Sequence, residues 1–342
     1  MKAGYYMVLA RFKLVIFLTL ATFTTACSQG ERQPPAEKIT LQLKWSHQAQ
    51  FAGFYVAKNK GFYGDENINI SFLEGGADVD AAASIMSGKA DFAILSPDYI
   101  LIKQSEKIPL TAIAVIYRKS TVVYLAHADS GILRPSDFIG KTVACKDLRG
   151  GVKDFEFQFL AMMNKLKLPL DDVRIVPFEP RQEGFLNRTV DVTPVYYING
   201  AVRLKREGVK LNMIWPDDYG VHFFSDTLAA MPDMINKKPD LVFRFLKATL
   251  KGWRYAVGNP EEAVDITMAY VKNKDRGFQS DMMYALLPLV HTGENRIGWM
   301  TDQSWAAIIR ILADQKMLKG PIPNSKQVYT MRFLEMVYGA KP

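Results

Sequence analysis

Short runs in which apolar and polar residues alternate, and longer ones in which apolar residues recur every three to four positions, follow one another along most of this chain. Ile39, Leu41 and Leu43 alternate with polar residues in a predicted strand, which runs into a loop carrying Trp45, Gln48 and Phe51. A second strand is predicted from Ile68 to Leu73 and ends in Gly75 and Gly76; a third, Phe92 to Leu95, ends in Ser96, Pro97 and Asp98. Between them DVDAAASIMSGK reads as a helix. The runs AIAVIYR, VVYLAHA, KTVACK and VRIVPF continue the strands, and DFEFQFLAMMNKLK supplies another helix. Such alternation predicts an α/β fold with parallel sheets. Ligands of open α/β sheets bind outside the carboxyl ends of the strands. Three strand ends would therefore present an aromatic ring, two glycines and a Ser-Pro-Asp to one crevice, as in a small-molecule receptor.

From Pro239 the pattern changes to helices only: PDLVFRFLKATLKGWRYAVG, PEEAVDITMAYVKN, SDMMYALLPLVH, TDQSWAAIIRILADQK and a final NSKQVYTMRFLEMVYG. Each opens on a start signal such as Ser, Thr, Asp, Asn or Pro, and they are expected to pack outside a sheet already built. The length suits two lobes rather than one core. The segment from Ile113 to Leu125, two β-like runs joined through Tyr117-Arg118-Lys119-Ser120, is the predicted crossing between them, with a return near Ser225 to Ala230. Lobe one is then 38–118 plus 228–342, and lobe two 119–227.

The first 26 residues hold three bases, Lys2, Arg11 and Lys13, no acid, and an apolar run from Leu14 to Phe23 too short to span a bilayer. This is a secretory signal. It closes on Ala26-Cys27-Ser28, a lipobox-like junction in which Thr24 replaces the usual leucine; lipid attachment at Cys27 is expected, with ordinary cleavage nearby as the alternative. Residues 27–37 would be a polar, proline-bearing tether. Without the leader, 40 bases face 35 acids, interspersed as on a solvated surface and with no basic tract suited to nucleic acid. A lipidated Cys27 leaves Cys145 without a partner, so neither a disulfide framework nor a cysteine metal site is expected. The four histidines, His47, His127, His222 and His291, lack metal-ligand spacing, and no nucleophile elbow, Walker loop or HExxH occurs. No cofactor is called for.

The binding candidates lie at strand ends. Trp45, in a loop, is expected to stack on a flat ring; Phe54 and Tyr55, followed by VAKNKGFY at helical spacing, suit either the ligand or the core. Gln48, Ser96 and Tyr117 line the same crevice. Gly150-Gly151, before the helix DFEFQFLAMM, is either an anion-binding turn or only a permissive one. Glu156 at that helix start and Asp98 from the other lobe would accept hydrogen bonds from amino groups of a heterocycle. Tyr196, Tyr197 and Asn199 follow the short strand DVTPV, and Trp215 to Gly220, with Tyr219, forms a second aromatic and acidic loop. Aromatics entering from both lobes would clamp a planar ligand, although each tyrosine alone also suits a half-buried structural place.

WSHQAQFAGFYVAKNKGFY, EGGADVDAAASIMSGKADFAILSPD and KPDLVFRFLKATLKGWRYAVGNPEEA resemble the superfamily that contains the thiamine-pyrimidine synthase of fungi and the solute-binding lipoproteins of bacterial ABC importers. The resemblance runs from about Ile39 to Asp265. It implies a two-lobe type II periplasmic binding protein fold, each lobe a mainly parallel sheet flanked by helices, and a monomer on the outer side of a membrane that serves a permease and an ATPase. Imported ligands of the group include a formylamino-pyrimidine precursor of thiamine and riboflavin. The synthase branch implies instead pyridoxal phosphate chemistry beside a cysteine-rich iron motif. That motif falls on Gly220-Val221-His222-Phe223-Phe224-Ser225, which has no cysteine, so a binding protein rather than an enzyme is expected. A receptor that reports occupancy to a separate membrane sensor is a further possibility.

Overall fold

The computed structural model describes residues 35–339 apart from 77, 147–152, 292, 294, 295, 322 and 323. Cys27, Gly150 and Gly151 therefore lie outside the described residues.

Among the described residues ten strands form two five-stranded sheets. The first holds β1 (Glu37–Gln42), β2 (Ile68–Leu73), β3 (Phe92–Leu95), β4 (Thr111–Tyr117) and β10 (Ser225–Ala230), in the order β2-β1-β3-β10-β4. The second holds β5 (Val122–His127), β6 (Thr142–Lys146), β7 (Arg174–Pro177), β8 (Val192–Tyr196) and β9 (Leu211–Ile214), in the order β7-β6-β8-β5-β9. We call these sheets with their helices lobe one and lobe two. Within each sheet one strand runs against the others: β10 is antiparallel to β3 and β4, and β5 to β8 and β9. Both of these strands enter from the opposite lobe, so they start at the crossing end, where the native strands of their sheet finish.

Strand character follows position. β10 and nearly all of β4 are buried on both faces; β4 reads as a near-continuous apolar run, while β10 carries Ser225, Asp226 and Thr227 ahead of its apolar half, and the edge strand β2 alternates buried and exposed residues. The free edge of β4 is covered: the Val115 amide donates to the Gly298 carbonyl at 3.0 Å and the Thr330 amide to Ala112 at 3.0 Å. That second bond corrects one expectation. The final helix is not continuous but splits into Ser325–Val328 and Arg332–Tyr338, because residues 329–330 leave it to seal a sheet edge that would otherwise expose unpaired backbone groups.

The helix Pro239–Gly258 carries the core of lobe one. Phe245 stacks on Phe92 with ring centroids 4.0 Å apart, and Trp253 meets Phe54 edge-on at 5.6 Å. Its crossing with the helix Ala52–Asn59 needs two glycines. A Cβ on Gly53 would stand 2.2 Å from the Trp253 ring, and one on Gly252 would stand 2.3 Å from the Gly53 carbonyl oxygen. The chain passes between lobes at 118–121 and returns between β9 and β10; the Thr121 and Ser225 hydroxyls, one on each passage, lie 3.3 Å apart. Among the described residues no helix is long and apolar enough to cross a membrane.

Candidate functional site

β1 ends at Gln42, whose side-chain amide donates to the carbonyls of Leu43, Leu73 and Glu74 and whose oxygen accepts from the Ser84 hydroxyl at 2.9 Å. Gly75 then packs so closely on the strand exit that a Cβ would stand 2.3 Å from the Leu43 carbonyl oxygen. Held this way, the next residue, Lys44, points inward. Its Nζ lies 3.4 Å from Asp226 Oδ1 and 5.1 Å from the centre of the Tyr196 ring of lobe two. Asp98 enters from the first turn of the helix Pro97–Ser105 and is 3% exposed. Asp226 sits in β10 at φ +30°, an uncomfortable backbone angle for a residue other than glycine, and its Oδ2 accepts from the Gln50 amide at 2.7 Å.

Lobe two contributes Asp154, in the first turn of the helix Lys153–Lys165 and 6% exposed, and Tyr196, whose hydroxyl donates to Asp154 Oδ2 at 2.8 Å. A second contact joins the lobes directly: Asn199 donates to Gln48 Oε1 at 2.8 Å, Gln48 to Gln50 at 2.6 Å, and Gln50 to Asp226. Farther out, Arg206 of lobe two pairs with Asp275 at 3.2 Å and Asp281 at 2.7 Å of lobe one.

Three buried carboxyls thus surround one ammonium. Burial alone would lower Lys44, but Asp226, Asp154 and Asp98 outweigh it and raise its pKa. Burial raises Asp226, against the pull of Lys44 and Gln50, and raises Asp154, against Lys44 and the Tyr196 hydroxyl. Asp98 is pushed up to about 7 by burial first and by Asp154 second, with Ser96 and Lys44 opposing. Asp98 Oδ1 and Asp154 Oδ1 are buried without a hydrogen-bond partner. Buried polar atoms are ordinarily hydrogen-bonded, and perturbed carboxyls of this kind cluster at functional sites.

Of the residues expected from sequence, Asp98, Tyr196, Ser96 and Gln48 belong to this group. Trp45 is half-buried on the edge of the lobe-one core. The aromatic residues on the helix Ala52–Asn59 turn away from it. Phe54 packs on Trp253, and Tyr55 is fully buried, stacked on Tyr270 at 4.1 Å and hydrogen-bonded to His47 Nδ1 at 2.8 Å. Tyr117 is likewise interior and donates to the Gln50 carbonyl at 2.6 Å, so it supports the loop. Glu156 sits beside the buried Cys145, and the helix start delivers Asp154 in its place. Tyr219 lies among Asp218, Asp137 and Arg134, none of which is in the group. Lys44, Asp154 and Asp226 were not singled out from sequence. Their signals are a lysine directly after an apolar strand, an acid one helical turn before Phe157, and the one charged residue in SDTLAA.

The run matched to the cysteine-rich motif lies elsewhere, where His222 Nδ1 is 2.6 Å from Asp217 and Phe223 and Phe224 line a small cavity at the crossing with Arg118 and Lys119. Among the described residues no three His, Cys, Asp or Glu side chains gather to hold a metal.

The profile of the NMT1/THI5-like family matches residues 48–263. The chain is 24% identical over 331 residues to the riboflavin-binding protein RibY of Chloroflexus aurantiacus, covering 92% of this chain and 91% of that protein. It is 22% identical over 325 residues to the formylaminopyrimidine-binding protein of Halalkalibacterium halodurans, covering 91% and 96%. A 4-amino-5-hydroxymethyl-2-methylpyrimidine phosphate synthase of Legionella pneumophila is 24% identical over 302 residues, covering 87% and 92%. Among solved structures, the periplasmic aliphatic sulphonate-binding protein SsuA of Escherichia coli superposes with a TM-score of 0.68 at 14% identity, over 87% of this chain and 92% of that one. At that identity the likeness establishes the two-lobe fold.

Proposed function

The chain belongs to the NMT1/THI5-like family, and on that premise we propose that it is the solute-binding component of an ABC importer, capturing a planar, hydrogen-bonding heterocycle of the thiamine-pyrimidine kind between its lobes. The observation that carries this reading is the convergence of Lys44 and Asp98 from lobe one, Asp154 and Tyr196 from lobe two and Asp226 from the returning strand at one buried point. Lobe one supplies three of these five polar groups and lobe two the other two, so a solute that satisfies them draws the lobes together. Closure is a hinge motion about 118–121 and 215–224, and the closed form is what a permease would recognise. Trp45 and Tyr196 offer ring faces for a flat ligand, and Asp98 and Asp154 offer acceptors for its amino groups.

The relatives supply the ligand class: one is named for a formylaminopyrimidine and another for riboflavin, and riboflavin is the competing cargo. Cys27 would be diacylated after export, holding a monomer on the outer face of a membrane beside its permease and ATPase. Native mass spectrometry of the purified protein tests the reading: a co-purified aminopyrimidine or flavin, released on denaturation, is expected. Stoichiometric pyrimidine phosphate made from pyridoxal phosphate and ferrous iron under air, absent from a boiled control, would favour the synthase instead.

A further inference from the structure

Asp98 and Asp154 come from opposite lobes, each from the first turn of a helix, and each buries one carboxyl oxygen that nothing in the protein satisfies. The charged and titratable groups around them are Lys44 after β1, Asp226 on β10, Tyr196 at the end of β8 and Tyr124 on β5, with the Ser96 hydroxyl beside Asp98. None of these makes a hydrogen bond to either orphan oxygen. Lys44 is drawn to Asp226, the Tyr196 hydroxyl is spent on Asp154 Oδ2, and the Tyr124 hydroxyl donates to the Phe155 carbonyl. A buried acceptor left unmet costs about 1–3 kcal/mol, and the charge of Asp154 together with burial favours a proton on Asp98.

We propose that Asp98 and Asp154 form a split subsite, one carboxyl from each lobe, which receives a nitrogen group with two N–H donors at the edge of the solute ring, and that without solute a single proton takes its place when the lobes close. This rests on the binding-protein reading and narrows it to the chemistry of an amino group beside a protonatable ring nitrogen, as in an aminopyrimidinium. Anionic solutes such as sulfonates are excluded, because the subsite offers acceptors and negative charge.

The proton makes closure depend on pH. Asp98 binds its proton more tightly when buried than when the cleft is open and wet, its value rising from about 4 to about 7. Stabilisation of the ligand-free closed form is therefore fully present below about pH 4 and is lost as pH rises through about 7. Asp98→Asn replaces the shared proton by a permanent N–H donor and should remove this dependence.

Small-angle scattering of the ligand-free protein at acid and alkaline pH tests this directly. The wild type is expected to have a smaller radius of gyration at acid pH, and Asp98→Asn the same small radius at both. Thermal melting checks that the variant folds, and Asp154→Asn serves as the second variant. A wild-type radius independent of pH, or an Asp98→Asn protein that expands with pH like the wild type, would overturn the proton-sharing pair. Calorimetry at neutral pH with 4-amino-5-hydroxymethyl-2-methylpyrimidine tests the solute half: a loss of at least tenfold in affinity is expected in Asp98→Asn, and equal affinity overturns the subsite. If the pyrimidine binds neither protein, the heterocycle reading of the cleft falls, and the carboxyl pair stands or falls by the scattering result.

Discussion

In lobe one the Thr40 amide donates to the Asp91 carboxylate at 2.8 Å and the Asp91 amide returns to the Thr40 carbonyl at 2.9 Å; in lobe two Thr142 and Asp191 make the same pair of bonds at 2.8 and 3.0 Å. The sheet orders also correspond strand for strand, with β1, β3 and β10 of one lobe in the places of β6, β8 and β5 of the other. The fillings differ. Lobe one is wrapped by the helices after Pro239 and holds stacked and edge-on rings, including Trp253, Phe54, Phe92 and Phe245. One side of the lobe-two sheet closes over only a small cluster, Val123, Leu125, Phe185, Val195, Ala201 and Leu204. The same frame thus carries a heavy lobe and a light one, and each directs its polar strand-end groups to the same point. Shared topology places the site, while the cores on which it is mounted are unequal.

The strongest way to break this comparison is through the heavy core. Trp253→Ala should cost about 3–5 kcal/mol, because it empties the space against Gly53, Phe54 and Tyr117; Phe185→Ala should cost less, since its small cluster borders solvent. Chemical denaturation followed by circular dichroism measures both, and equal losses would mean that the lobes are equally robust. Next comes the shared point. Lys44→Ala leaves three buried carboxyls without their cation, and breaking a buried pair in this way costs about 3–5 kcal/mol; binding to the native solute should vanish while the isolated cores persist. Calorimetry and melting curves separate the two effects.

Smaller changes sharpen the comparison. Trp45→Ala should weaken binding by about 1–3 kcal/mol through lost stacking and apolar area, with little change in melting temperature because the ring is only half-buried. Unchanged affinity in calorimetry would return Trp45 to a packing role. Arg206→Ala removes ion pairs between the lobes whose arginine side chain is 39% exposed; such pairs contribute about 0.2–1 kcal/mol. Slightly faster solute release in stopped-flow measurements is expected, and a large effect would mark Arg206 as a principal clasp.

The candidate site was legible in proportion to how local its signals were. Asp98 and Tyr196 stood out because each follows a recognisable strand, and strand ends are where α/β ligands bind. Phe54 and Tyr55 looked alike in sequence but belong to the core, since a helix of eight residues buries most of its side chains when the helix Pro239–Gly258 crosses it at two glycines. The sequence does not distinguish Asp154 from Glu156, because carboxylates two residues apart at a helix start look equivalent until packing decides which faces inward.

By itself the sequence determined the local rhythm: strands at Ile68–Leu73 and Phe92–Leu95 and the helix Pro239–Gly258 all follow from periodicity and end signals over a few neighbouring residues. Only the tertiary structure decided what depends on residues far apart in the chain. It set the sheet order, the matching Thr–Asp pairs of the two lobes, the break at 329–330 that seals β4, and the meeting of Lys44, Asp98, Asp154 and Asp226. The reason is physical: a carboxyl on a helix start is an ordinary solvated charge until a second lobe removes its water, and that removal is a property of the folded, closed molecule alone.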